Sequence, residues 1–352
     1  MFFSKRTKGF FVEMNENSVL LARTSSVSPP MEIEDLKECA LGEQAVVTET
    51  LRQLQPRRPP SGYMHAIVGA YPPRRIVRRH TLELKKMKDQ GYMADVFTQQ
   101  LRIEQDKFTI AMINANDGAD YDLIKSNQKE VIFCGAPNDD ISATQEKLLN
   151  AGIYPERLEL GSVATLGALV DCLAFEKSKT PTLVLDVGND TTHSFIVSAN
   201  GVEASRPIPQ GLEAMVPVVQ KELGLKDEES ARKLFRSNSF DFTGMGPLLI
   251  KRLLKELQSS IGFYEVQTGQ SVGQVLCIQL SPKLAWLEGA LATSLGIAPL
   301  KLDPLPWLRS RHVIVPDPLS KTAGDFRWFG LLSLMIQYTS QPQDAAAPVE
   351  KK

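Results

Sequence analysis

No stretch of the 352 residues approaches the ~20 consecutive apolar residues that cross a bilayer as a helix. Cysteine is scarce. The four, Cys39, Cys134, Cys172 and Cys277, lie far apart with no Cys-x-x-Cys pair, and His65, His80, His193 and His312 are equally scattered. Neither set has the spacing of a structural metal site, and unpaired thiols suit a reducing cytoplasm. There is no excess of basic charge: 40 Lys and Arg against 41 Asp and Glu give a net charge of -1. No global field therefore draws nucleic acid. The opening MFFSKRTKGFFVEMNENS is basic but lacks the apolar region of a secretory signal. The closing TSQPQDAAAPVEKK is polar and rich in Pro and Ala, and reads as a disordered tail.

What is present is an ordinary globular composition, 43% hydrophobic and 23% charged, long enough for two domains. Phe10 to Arg23 reads as two short strands around a turn, and Glu43 to Gln55 as a helix stopped by Pro56. HAIVGA and KEVIFCGA read as buried strands, and RRIVRRHTLEL as a strand with one solvated face. A charged helix is expected over about Lys85 to Gln105, then a strand near Lys107 to Ile113. Apolar GSVATLGALVDCLAF reads as a helix. LVLDVGNDTTHSFIVSANG reads as a strand, a polar turn and a second strand. Its Asn200-Gly201 predicts a type I′ hairpin. Pro247 to Tyr264 repeats apolar residues at helical spacing, GQVLCIQLS reads as a strand, LAWLEGALATSLG as a helix and WFGLLSLMIQ as a short buried helix. Strands and helices alternate twice, and each half opens on a hairpin. The expectation is an α/β fold with a duplicated core.

Two hairpins of this kind, with Asp-x-Gly in the turn, resemble the actin-like ATPase superfamily with its ribonuclease H-like core. More narrowly, the chain resembles the PilM-type proteins of type IV pilus assembly, relatives of FtsA and GspL. Five runs in order carry this: HAIVGAYPPRRIVRRHTLEL, KEVIFCGAPNDDISATQEKLLNAGIYPERLELGSVATLGAL, LVLDVGNDTTHSFIVSANGVEASRPIPQGLEAM, LLIKRLLKELQSSIGFYEVQTGQSVGQVL and FRWFGLLSLM. The resemblance implies a first lobe from residues 1–73, 153–180 and 318–338. It implies an inserted 1C-type subdomain over 74–152, a second lobe over 181–317 and a disordered tail over 339–352.

It also implies a nucleotide site, which the residues match unevenly. Asp186 stands where an acid meets the water shell of magnesium. Gly188, Thr191 and Thr192 match the phosphate turn. In the first hairpin, however, Glu13 replaces the family's Asp and Asn15 its Gly. Arg232 and Phe235 stand where Glu and Lys would meet ribose and base. Ser281, Pro282, Lys283 and Leu284 replace a glycine run, and Ser259 replaces an Arg while Glu256 remains. Efficient phosphoryl transfer depends on such positioning groups acting together. The expectation is a scaffold with a degenerate site, no firm cofactor and weak binding of ATP with magnesium. No residue is assigned a catalytic role.

The resemblance further implies a cytoplasmic protein held peripherally at the inner membrane by its partner. That partner is the N-terminal peptide of a PilN-like membrane protein, received between the first lobe and the 1C subdomain. Tyr71, Arg74, Arg75 and Ile76 are the candidate contacts. Other platform or motor proteins and self-association stay open. The basic run Arg74 to Lys88 reads either as a solvated face or as a surface for anionic headgroups. An active ATPase or small-molecule kinase is the competing enzyme reading. A GspL-like cytoplasmic domain is the other, although that family continues into a membrane span and this chain ends in a polar tail.

Overall fold

The computed structural model describes residues 8–15, 18–40, 44–57, 60–123, 126–237 and 239–336. The segment read as a tail lies outside them. In chain order the strands are β1 (Gly9–Met14), β2 (Ser18–Thr24), β3 (Met31–Ala40), β4 (Met64–Ala70), β5 (Ile76–Thr81), β6 (Phe108–Asn114) and β7 (Glu130–Pro137). They continue as β8 (Ile153–Leu160), β9 (Thr182–Val187), β10 (Thr192–Ser198), β11 (Gly201–Ile208), β12 (Gln274–Ile278), β13 (Ala298–Pro299) and β14 (Val313–Ile314).

Two sheets repeat one topology. The first runs β14-β3-β2-β1-β4-β8 and the second β11-β10-β9-β12-β13. Each opens with an antiparallel hairpin, β1 with β2 and β9 with β10, and then adds a parallel strand beside the first. β9 and β10 are buried at every position. The nearly continuous apolar sequence of β9 follows from a sheet covered on both faces, whereas β10 buries Thr192, His193, Ser194 and Ser198 beside its apolar Phe195, Ile196 and Val197. The helix Gly161–Phe175 is apolar on most sides, as a helix enclosed by protein must be. Leu166, Leu169 and Leu173 share one core with Phe11 and Ile67 of the first sheet and Val184, Phe195 and Leu276 of the second.

β5, β7 and β6 form a separate three-stranded antiparallel sheet. It has its own core around Leu82, Phe97, Leu101, Val131 and Phe133. This insert touches both halves. The helix Asn138–Asn150 leaves it and buries Leu148 against Val12 and Val68 of the first sheet. On the other side the Arg79 amide donates to Ser205 Oγ on β11 at 2.6 Å.

Several expectations are corrected. The helix over Lys85 to Gln105 reduces to turns and a short helix, Tyr92–Asp95, continuing as a π-helical turn over Val96–Leu101. Gly91, at φ 100°, marks its start. β3 and β8 were not expected. The first mixes charged and apolar residues, and the second contains Pro155, which suits its place at the sheet edge. The β10–β11 turn is not type I′, because positive φ falls on Gly201 and not on Asn200. The helix from Pro247 breaks at Ile250 and resumes over Lys251–Thr268. The 317/318 boundary lies too late, since β14 pairs with β3 and Trp307 donates to Asp171 of the central helix at 2.8 Å.

Candidate functional site

Two concave regions flank the turn after β4. The first is the cleft between the two lobes. Residues 186 to 192 place an acid, a glycine and two threonines at its floor. Asp186, at the end of β9, is buried, and its Oδ2 accepts from three donors: Arg75 Nη2 at 2.5 Å, Arg75 Nε at 3.1 Å and Ser162 Oγ at 2.9 Å. Gly188 donates its amide to the Thr191 carbonyl, which closes the turn. The Thr192 hydroxyl donates to the Gln210 carbonyl at 2.6 Å.

The facing hairpin supplies Glu13, 1% exposed. Its Oε1 accepts from Tyr71 Oη at 2.6 Å and from Gln279 Nε2 at 2.5 Å. Gln279 Nε2 also donates to Tyr71 Oη at 2.7 Å, and Gln279 Oε1 accepts from Asn15 Nδ2 at 3.0 Å. Asn15 Oδ1 accepts from the Ser18 amide. Burial pushes Glu13 up to about 7, against the opposing effect of its hydrogen bonds from Tyr71, Gln279 and the Leu331 backbone. Gly330 lies so close that a Cβ there would overlap the Glu13 carboxylate, so only glycine fits. His193, on β10, is 8% exposed; burial first, and then the Arg75 charge, pushes it down to about 4.

Deeper in the cleft lies a volume of about 740 Å³ bordered by Asn15, Leu276, Pro282, Arg236 and Phe329. Arg232 and Arg236 both reach Glu213, at 2.8 Å and 2.5 Å. Phe235 is buried edge-on against Phe242, with ring centroids 5.3 Å apart. Among the described residues, no group of three or more His, Cys, Asp and Glu side chains is placed to hold a metal ion.

The second region is a groove of about 820 Å³ between the insert and the first lobe. One wall carries Thr109, Ala111 and Ile113 of β6, whose alternate residues turn into the insert's own core. The other carries Leu158 to Leu160 of β8 and Val163, Ala164, Gly167 and Val170 of the central helix. β6 and β8 are each the last strand of their sheet. The Glu159 carboxyl is pushed up by burial, and Arg157 beside it opposes the shift.

The predicted residues therefore divide. Glu13, Asn15, Asp186, Gly188, Thr191 and Thr192 gather in the cleft. Of the four candidate peptide contacts, Tyr71 and Arg75 are buried in that same cleft instead. Arg74 is exposed and pairs with Asp139 and Asp140 at 2.6 Å, and Ile76 is half-buried in the insert. The basic run is largely matched internally: Arg79 meets Glu130 at 2.8 Å, Lys86 meets Glu83 at 2.8 Å, and Arg78 donates to the Gln100 and Leu101 carbonyls. Sequence reading missed Gln279 and Ser162. The signal was the sheet register, since Ile278 pairs with Asp186 and Glu13 with Gly69.

No family model matches the sequence, and no curated protein matches it. Solved structures do. One is the PilM-PilN type IV pilus biogenesis complex, at a TM-score of 0.63 and 19% identity, covering 94% of this chain and 98% of that one. The chain has the actin-like fold. Weaker likenesses are the ethanolamine utilization protein EutJ from Carboxydothermus hydrogenoformans and a Bacteroides thetaiotaomicron protein with actin-like ATPase fold. EutJ gives a TM-score of 0.43 at 12% identity, covering 94% and 89% of the two chains. The Bacteroides protein gives 0.42 at 8%, covering 94% and 98%. Within this fold the β1–β2 and β9–β10 turns are the two facing hairpins, and the insert replaces nothing in either duplicated sheet. Among the described residues, no helix is long and apolar enough to cross a membrane.

Proposed function

We propose that this chain is a cytoplasmic adaptor of a type IV pilus or related secretion machine. In this reading it holds the N-terminal peptide of a PilN-like inner-membrane protein in the groove between insert and first lobe, and it sits at the membrane through that partner. The observation that carries the reading is the groove itself. It is open and mostly apolar, and two terminal strands border it, which is the geometry that accepts an extended peptide through main-chain hydrogen bonds and side-chain pockets. The likeness to the PilM-PilN complex over almost the whole chain supports it.

The cleft is read as a degenerate nucleotide site. One carboxylate oxygen of Asp186, Oδ2, already accepts from Arg75 and Ser162. Glu13 is held by neutral donors, and burial raises its pKa to about 7, so its charge is weakened around neutral pH. Pro282 offers no backbone N–H. On this reading magnesium would reach Asp186 Oδ2 only by displacing the arginine, and no catalytic step is assigned.

The test is a calorimetric titration of the full chain with the cytoplasmic N-terminal peptide of a PilN-like membrane protein from the same organism. A short peptide must be ordered on binding, so a dissociation constant in the micromolar range is expected, roughly -8 kcal/mol. Absence of binding at millimolar peptide, together with cytosolic fractionation in cells expressing both proteins, would remove the adaptor reading.

A further inference from the structure

The two lobes of this fold meet across a cleft that, in a nucleotide-binding protein, is bridged by phosphate and cation. Here protein groups cross it at two points. Arg75 lies on the turn between β4 and the insert and reaches Asp186 on the second lobe. Ser162, at the start of the central helix, reaches the same oxygen. The arginine is 8% exposed and the aspartate 2%. The turn that presents Arg75 is itself fixed, because the Arg75 amide and Arg75 Nη1 both donate to the Pro72 carbonyl at 3.1 Å. The guanidinium carbon lies 5.4 Å from the centre of the Tyr71 ring.

Gln279, the second crossing, follows β12 on the second lobe and bonds Glu13, Tyr71 and Asn15 of the first. It does so with φ at 60°. A non-glycine residue in the left-handed region is uncommon, and such conformations persist where surrounding contacts over-determine them. The side-chain amide has a partner for both its oxygen and its nitrogen, all from the opposite lobe.

We propose that Arg75 is a built-in replacement for the cation at the phosphate end of the cleft, so that Arg75–Asp186 and the Gln279 contacts join the lobes without any nucleotide. The inference rests on the actin-like fold and not on the adaptor reading, so either can fail alone. A carboxylate that is to stay ionised when buried needs a positive partner. In a nucleotide site that partner arrives with the ligand. In this chain it is covalently attached and always present.

The experiment combines thermal unfolding with an interlobe distance measurement. Spin labels go on cysteines placed at Val46 and Val266, both exposed, while the four native cysteines are buried. The probe is magnesium with ATP at 1–5 mM, roughly the range in which a weak site would fill. The unsubstituted protein should show an unchanged Tm and one narrow distance with or without the probe. Arg75→Ala should lower Tm by at least about 5 °C, because it strands a buried charge, and should broaden the distance. Adding Asp186→Asn to that variant should recover most of the loss. A Tm rise or a shortened distance on adding magnesium and ATP to the unsubstituted protein would overturn the proposal. So would an Arg75→Ala variant with unaltered distance and Tm. Should Arg75→Ala not fold, the response of the unsubstituted protein to magnesium and ATP still supports or overturns the proposal.

Discussion

Replacing Glu13 by glutamine is expected to stabilise the protein at pH 8 by up to about 3 kcal/mol and to have almost no effect below pH 4.5. The carboxyl is buried, and its pKa rises from 4.5 to about 7 in the fold. Between those values the folded state keeps a proton that the unfolded chain has released. Stability from this group is therefore fully present below pH 4.5, falls as pH rises, and is lost above about 7. The interval, at about 1.4 kcal/mol per unit, sets the ceiling. Glutamine keeps an acceptor for Tyr71 and Gln279 and never ionises. A profile of the unsubstituted protein would hide this, because His193 works against it. Burial first, and then the Arg75 charge, lowers that histidine to about 4, so its contribution grows with pH up to its unfolded value near 6.5. The two slopes oppose each other across pH 4.5 to 6.5. The difference between Glu13→Gln and the parent isolates the carboxyl. Chemical unfolding at pH 4.5, 6, 7 and 8 measures it, and a difference that does not change with pH would contradict the burial argument.

The same cluster shows what the sequence could and could not convey. The duplicated α/β core was readable because β9, β12 and the central helix are nearly continuous apolar runs, and burial on both faces leaves that signature. β3 and β8 were not readable. β3 alternates irregularly with charge, and β8 carries a proline and two glutamates, since an edge strand beside the insert answers to local solvent rather than to a core. The expected charged helix after β5 failed because helical propensity in a polar segment is a weak prior that tertiary context overrides. The residue types at positions 13, 15, 232, 235 and 282 could be read one by one, since each is fixed in the sequence. The contacts that Arg75 and Gln279 make across the cleft could not. Arg75 is 111 residues from Asp186, and Gln279 is 266 from Glu13. Arg75 looked like one of a basic surface run until the turn after β4 turned it inward. Charge in a linear sequence carries no direction, and only the parallel pairing of β1 with β4 brings Tyr71 and Arg75 beside the cleft.

Filling the groove is expected to abolish peptide binding without disturbing the fold. Ala111 is the residue for this. It is exposed on β6, pairs in register with Cys134, and points its side chain into the groove with Thr109 and Ile113. A tryptophan there projects a bulky ring into space that an extended segment would occupy. Because the position is solvent-facing in the free protein, surface rules apply and the cost to stability should stay within about 0.5 kcal/mol. The dissociation constant for the peptide should rise at least about 100-fold, close to 2.7 kcal/mol, since a hot-spot pocket blocked at its centre loses both contacts and water exclusion. A paired change on the opposite wall, Ala164→Trp on the central helix, should give the same loss from the other side. The cleft lies beyond the Tyr71–Arg75 turn, so Asp186→Asn should leave peptide affinity within a few-fold of the parent while lowering Tm. If both groove tryptophans bind peptide as the parent does, while unfolding and circular dichroism show them intact, the peptide occupies some other surface and the groove has no part in docking.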